Sequence, residues 1–248
     1  MRYSYFFGLL LLIVACGKDE PIIPAEYFNK TKIDTTGTSL PEPPTTPTTP
    51  TTPTTPAPID TYQPLTKGSY WTYAEVDEMN DTVLVTNTVT GKTTTVDGKA
   101  FYELEIIEDQ GIGSDLCYMY ASSNSYILRA AEGFSDELKN LEYLQSSASV
   151  NGQWQVSWGK NADTQFEERM TGVLKGKGLT HTVLGKSYKD VMYTEVKVEI
   201  NMMGSWIPTL TYKFYTAKGV GIIEKEALLG DATTGIVTRQ LLKSYSIK

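Results

Sequence analysis

Period-two alternation constrains this chain more than any other feature, because a side-chain repeat of two residues fits a strand and no helix. In residues 192–200 one face carries Met192, Val196, Val198 and Ile200, and the other carries Tyr193, Glu195, Lys197 and Glu199. A segment of this kind is a strand with one face in a core and one in water, as in an antiparallel sheet. Residues 101–108 repeat the pattern, with Tyr102, Leu104 and Ile106 set against Glu103 and Glu105. So do residues 205–216, with Leu210, Tyr212 and Phe214 set against Thr209, Thr211 and Lys213. The same reasoning places strands at 70–76, 82–90, 116–121, 126–131, 153–158, 166–174, 180–184, 222–227 and 236–247.

Turn chemistry falls between these runs at Gly91-Lys92, Asp97-Gly98, Ser122-Ser123-Asn124, Asn151-Gly152, Gly176-Lys177-Gly178 and residues 201–204. Pro208 has no amide hydrogen, so it calls for an edge or a bulge in its strand. Only residues 135–144 suggest a helix: Ser135 is a cap type, and Leu138, Leu141 and Leu144 recur every third residue. No long amphipathic crossover exists to build βαβ units. The expected fold is all-β, a single antiparallel meander curved into a half-barrel or sandwich, with at most one short helix.

This domain occupies residues 59–248, and what precedes it is of a different kind. Residues 20–58 hold few large apolar side chains and include four tandem Thr-Thr-Pro units from Thr45 to Pro56. Proline fixes φ and removes the amide donor, which excludes helix and sheet and leaves extended polyproline II. At about 3.1 Å per residue the repeats span on the order of 35 Å. Residues 16–58 therefore read as an anchor followed by a disordered, Thr/Pro-rich tether.

The anchor is Cys16. Arg2 and the free amine open the chain, residues 6–15 form a short apolar run, and Ala15 is the small residue before Cys16. That order is a secretory signal peptide over residues 1–15, and the run is too short for a membrane span of about 20 apolar residues. Ile13-Val14-Ala15-Cys16 resembles the lipobox of bacterial lipoproteins, with Ile in the position where Leu is commoner. The resemblance implies a diacylglyceryl group on the Cys16 thiol, cleavage before Cys16 and acylation of the new amine with a chain such as palmitate. Such attachment is effectively permanent at about 0.8 kcal/mol per buried CH2. Gly17 is not the acidic residue that signals inner-membrane retention in many Gram-negative lipoproteins, and Cys16-Gly17-Lys18-Asp19-Glu20 is similar to a short acidic surface-export signal. These likenesses imply lipid anchoring in the outer membrane with the domain surface-exposed, or alternatively facing the periplasm.

Removing residues 1–15 takes away one charged side chain, Arg2, and moves the formal net charge from −7 to −8. An acidic domain repels nucleic acid and anionic lipid surfaces, so no nucleic-acid partner is expected and the lipid must hold the protein at the membrane. With Cys16 acylated, Cys117 has no disulfide partner; it lies in the strand-like run Leu116-Cys117-Tyr118 and reads as a buried small hydrophobe. Asp34-Thr35-Thr36 and Asp81-Thr82-Val83 match a bacterial O-glycosylation pattern, making Thr35 and Thr82 candidate sites.

Three further segments carry a resemblance: Pro64 to Tyr73 with Gly68-Ser69-Tyr70-Trp71-Thr72-Tyr73, Val183 to Val191, and Lys213 to Ile223 with Tyr215-Thr216-Ala217-Lys218-Gly219-Val220-Gly221. Their order resembles Gram-negative envelope lipoproteins whose domain opens on Gly-x-x-Trp-x-Tyr and closes on Tyr-x-Ala-x-Gly-Val-Gly. Those domains are similar to the curved β-sheets of lipoprotein carriers and outer-membrane lipoprotein receptors. The resemblance implies a fold and no reaction.

Chemistry is sparse. His181 is the one histidine, so a histidine-rich metal site is impossible and no cofactor or metal is expected. Gly111-Ile112-Gly113, Gly176-Lys177-Gly178 and Gly219-Val220-Gly221 open no helix and read as turns rather than phosphate loops. Glu103, Glu105, Glu108, Asp109, Glu167, Glu168, Glu195, Glu199, Glu224 and Glu226 are plentiful carboxylates, most of them on faces that read as solvated. The aromatics are the remaining signal, and Trp154, Trp158, Trp206 and Tyr215 are the candidate ligand-binding residues. The expectation is a non-enzymatic lipoprotein that binds an acyl chain, a glycan or an envelope protein. Two alternatives stay open: a surface polysaccharide hydrolase using a carboxylate pair, and a structural component of an envelope complex.

Overall fold

A computed structural model of the chain describes residues 60–109, 114–131, 138–231 and 235–248. Cys16, Thr35, the tether and Gly111-Ile112-Gly113 lie outside the described residues. The described residues belong to one compact unit, and its core cluster draws on side chains from Tyr62 to Ile247.

Twelve strands are described: β1 (Tyr70–Asp77), β2 (Thr82–Val96), β3 (Lys99–Glu108), β4 (Ser114–Ala121), β5 (Ser125–Ala131), β6 (Leu138–Gln145), β7 (Gln153–Lys160), β8 (Glu167–Val183), β9 (Lys186–Met202), β10 (Ser205–Ala217), β11 (Gly221–Leu229) and β12 (Ile236–Ser246). They form a single antiparallel sheet in the order β6-β5-β4-β3-β2-β1-β12-β11-β10-β9-β8-β7. Every neighbour is a hairpin partner except β1 and β12, which pair from Tyr70↔Ser246 to Asp77↔Thr238. The meander thus joins its own ends, and the break in the ladder falls mid-chain between β6 and β7. The sheet curls until β6 packs on β7, β8 and β9, giving a nearly closed barrel rather than a sandwich.

The inner face follows from parity. Trp71 and Tyr73 on β1, Val196 and Val198 on β9, and Tyr212 and Phe214 on β10 all point into one core cluster. The motifs at the two ends of the domain meet inside it. The Trp71 indole donates to the Val220 carbonyl at 2.6 Å, and the Tyr73 hydroxyl donates to the Ile222 carbonyl at 2.9 Å. Gly221 sits beneath them at φ +111°, and a Cβ there would meet Gln63 Oε1 at 2.9 Å and the Trp71 indole nitrogen at 3.2 Å. Only glycine fits both the backbone conformation and the space.

The unpaired edges of β6 and β7 would be exposed templates for aggregation were they left open. Side chains from the far end of the sheet close them. Trp154 Nε1 on β7 donates to the Glu142 carbonyl at 2.8 Å, and Trp158 Nε1 donates to the Asn140 carbonyl at 3.2 Å. Thr194 Oγ1 on β9 donates to the Tyr143 carbonyl at 2.7 Å, and the Glu142 amide points at Met170 Sδ at 3.2 Å. Deeper in the seam, Lys139 Nζ lies 3.6 Å from Glu168 Oε2, both almost wholly buried, while Asn161 Nδ2 donates to Glu168 Oε1 at 2.9 Å. A separation of 3.6 Å is an ionic contact beyond hydrogen-bond length, and Glu168 Oε2 accepts no hydrogen bond. The seam is a zipper of side chains onto backbone.

The expected helix over residues 135–144 is corrected: residues 138–145 are β6, hydrogen-bonded to β5. The pairing shifts between Tyr126 and Ile127, so that Ile127 faces Glu142 and Tyr126 faces Leu144, with Tyr143 as the extra residue. A bulge breaks alternation and leaves Leu141, Tyr143 and Leu144 all buried, which imitates a three-residue helical repeat. Gly91-Lys92 and Gly176-Lys177-Gly178 also depart from the expected turns. Both lie inside long strands, where the ladder shifts between Val89 and Thr93 and between Leu174 and Leu179. The strands expected at 166–174 and 180–184 are therefore one, β8. Pro208 lies at a register shift in β10, as a proline without an amide hydrogen requires.

Candidate functional site

One end of the barrel is plugged by the residues that lead into β1. The Gly219 amide donates to the Thr61 carbonyl at 2.7 Å, and the Tyr62 amide donates to the Tyr126 hydroxyl at 3.2 Å. The rings of Tyr62 and Tyr126 meet edge to face at 6.0 Å, and the buried Tyr143 hydroxyl donates to Gln63 Oε1 at 3.4 Å. Residues 61–65 are thus pinned to β5, β6 and the β10–β11 turn. The turn after β1 and the short link between β9 and β10 lie at the opposite end, where Met79, Met203 and Leu229 are exposed.

Between plug and mouth lies an interior cavity of about 160 Å³, walled by β1–β5 on one side and by β11 and β12 on the other. Its apolar wall includes Val85, Ile106, Met119, Leu128 and Ile222. Three side chains on it are polar in a way the wall is not: Asn87, Lys225 and Gln240. Lys225 shares the inward parity of Ile223 and Ala227, and Asn87 that of Val85 and Val89. Asn87 Oδ1 is buried and has no hydrogen-bond partner. Gln240 donates from Nε2 to Glu75 across the β1–β12 ladder. Cys117 also lines the cavity; burial pushes its thiol up to about 11, with the Lys225 ammonium pulling in the other direction. At neutral pH it is a protonated, inert wall residue, as its sequence context suggests.

The four aromatics singled out from sequence do not converge. Trp154 and Trp158 share the seam and spend their indole N–H groups on β6. Trp206 lies under the Arg169 guanidinium, 4.0 Å from ring to Cζ, while Arg169 Nε donates to Glu199 Oε2 at 2.8 Å. Tyr215 is in the middle of a three-ring stack on the outer face, with His181 at 3.9 Å and Tyr193 at 4.6 Å. His181 Nε2 lies 2.7 Å from Glu224 Oε2, and Arg239 donates twice to Glu224 Oε1, at 2.9 and 2.6 Å. Of the carboxylates expected to be solvated, Glu168, Glu199 and Glu224 are buried, and each is held by a basic side chain: Lys139, Arg169 and Arg239. None of the carboxylates singled out from sequence lines the interior cavity. Among the described residues no group of three His, Cys, Asp or Glu is placed to hold a metal. Thr82 is exposed at the start of β2.

A second concavity of about 370 Å³ opens outside the seam, where Val96 and Asp97 at the tip of the β2–β3 hairpin meet Arg129, Asn140, Ser157 and Trp158. Arg129 donates to Asn140 Oδ1 at 2.8 Å.

No protein-family model matches the chain, and no curated protein is significantly similar to it. One solved structure shares its fold, and a second is a weaker match. A candidate lipoprotein from Parabacteroides distasonis superimposes with a TM-score of 0.51 at 12% identity, over 76% of this chain and 99% of its own. An exported-protein candidate with a YmcC-like fold from Bacteroides fragilis aligns over 77% of this chain and 100% of its own, at 8% identity and a TM-score of 0.42. At such identity the first shares the fold and nothing finer follows; the second is too distant to carry an argument.

Proposed function

We propose that the protein is a lipoprotein of the bacterial cell envelope, held in the outer membrane by Cys16, whose barrel takes an acyl chain into its interior. The observation that carries the reading is the apolar cavity behind a plugged end and a sealed seam. A barrel whose ladder is broken on one side gains stability by collapsing onto a filled core. Here Trp154, Trp158 and Thr194 hold the seam closed while Val85, Ile106, Met119 and Leu128 line space. Pockets of this kind bury an alkyl chain against apolar side chains and use a few polar groups to orient it. The lipobox supports the envelope location, and the likeness to a candidate lipoprotein is consistent with it.

Titration of the Thr54–Lys248 unit with cis-parinaric acid tests the reading, since the polyene fluoresces only when shielded from water. Saturable binding is expected in the wild type, and Leu128→Trp, which fills the cavity, should abolish it. Wild-type protein that leaves the probe dark, or Leu128→Trp that binds it equally well, refutes the interior site.

A second reading rests on the concavity outside the seam. Trp158 offers a ring, and Arg129, Asn140, Ser157 and Asp97 surround it with donors and acceptors, a composition suited to a glycan. Arg129→Ala, which touches neither the seam contacts nor the interior cavity, would weaken that binding and leave the interior site intact.

A further inference from the structure

We infer that the interior site selects an alkyl chain that ends in a carboxylate, and that Lys225 is the counter-ion for that headgroup. The inference rests on the acyl-chain reading above and adds its ligand class.

Formal charges are few on the inner face, and two of them, Lys225 on β11 and Glu75 on β1, stand in one row without an ion pair between them. Lys139 and Glu168 neutralise each other in the seam. Glu75 accepts from Gln240, which stands between it and Lys225 in the row Glu75↔Gln240↔Lys225. Among the described residues Lys225 makes no ion pair and no side-chain hydrogen bond, whereas the buried carboxylates Glu168, Glu199 and Glu224 are each held by a cation. A half-buried ammonium is costly unless paired, and acidic side chains outnumber basic ones 29 to 22 in this chain, so the lack of a partner is not a shortage of anions.

A lysine that merely covered apolar surface would run its stem along the wall and end in water. Lys225 instead lines the same cavity as Asn87, whose amide oxygen is buried without a partner. The two ends of an asparagine amide are interchangeable by rotation, so this position supplies an acceptor or a donor as the ligand demands. An ammonium and an amide donor facing one space fit a carboxylate. The remaining wall of Val85, Ile106, Met119, Leu128 and Ile222 fits the chain attached to it. The requirement is thus amphiphilic and has a sign.

The test is a calorimetric titration of the Thr54–Lys248 unit with octanoate and with 1-octanol, which share a chain and differ in the headgroup. A charge-assisted hydrogen bond predicts that octanoate binds the wild type about ten- to a hundredfold more tightly. Lys225→Met should erase that preference while 1-octanol binds within about threefold of wild type, and Lys225→Arg should keep it. Equal binding of the two probes to wild type, or tighter binding of 1-octanol, overturns the anionic headgroup and leaves the acyl-chain reading standing. Binding of neither probe overturns both. A preference for octanoate that survives Lys225→Met overturns the role of Lys225. The wild-type comparison needs no variant, so a Lys225→Met chain that failed to fold would not shield the inference.

Discussion

Gly172 on β8 faces Trp154 on β7 across the ladder, and its replacement by alanine tests the sealed seam. A Cβ at this position would overlap the indole at Cε2, Cζ2 and Nε1, all of them atoms of a rigid ring whose N–H is committed to the Glu142 carbonyl at 2.8 Å. The backbone of Gly172 is not in the left-handed region, so alanine by itself would favour the strand by about 0.5–1 kcal/mol. Overpacking of a tight contact costs about 1–3 kcal/mol, and losing the indole hydrogen bond adds about 1 kcal/mol. The net is a loss of about 2 kcal/mol for Gly172→Ala, or about 4–8 °C in Tm for a domain of this size. Trp154→Ala should cost more, about 3–5 kcal/mol, by leaving a cavity and an open edge. The diagnostic is the cycle. In the Trp154→Ala background the obstructing ring is gone, and Gly172→Ala should become neutral or stabilising, giving a coupling of about 2 kcal/mol. Urea unfolding followed by far-UV circular dichroism measures all four proteins. An equal cost of Gly172→Ala in both backgrounds, or stabilisation of the wild type, would refute the seam argument.

Three further outcomes are expected. Cys117, buried and with its thiol pushed up to about 11, should resist 5,5′-dithiobis(2-nitrobenzoate) at pH 8 in the folded protein and react at the rate of unfolding in urea; prompt labelling of native protein would contradict its place in the wall. Burial holds the phenols of Tyr73 and Tyr143 well above their ordinary value of 10.0, so the folded state keeps protons that the unfolded state loses. Stability is then full below about pH 10 and falls as pH rises beyond it, and absorbance at 295 nm should show part of the tyrosines ionising only with cooperative unfolding. Cys16→Ser should abolish labelling by radioactive palmitate and release the protein from the membrane fraction, whereas unchanged labelling would remove the lipobox assignment.

Much of the fold was legible because alternation is a local property. Residues 192–200 and 205–216 state their faces without help, and Pro208 announces its bulge through a missing donor. What was illegible is where alternation is broken. At Tyr143 an extra residue makes a strand look helical, and at Gly91 and Gly176 a bulge within a strand has the composition of a turn. The junction of β1 with β12 and the seam depend on contacts between residues as remote as Tyr70 and Ser246, or Tyr143 and Thr194, which no local pattern contains.

The site was harder to read for a related reason. Aromatic content pointed to Trp154 and Trp158, yet their polar atoms serve the β6 edge. The proposed interior site rests instead on Lys225 and Asn87, and Glu224-Lys225-Glu226 has the composition of a solvated charge run. The signal was parity: Lys225 stands in step with Ile223 and Ala227, and Asn87 with Val85 and Val89.

Native mass spectrometry of the protein purified from its own envelope fraction would show whether the barrel interior holds an acyl chain. An adduct with the mass of a fatty acid or other anionic amphiphile is expected, displaced by added octanoate and missing from Leu128→Trp. A bare protein mass, under conditions in which a known fatty-acid carrier keeps its ligand, would contradict it.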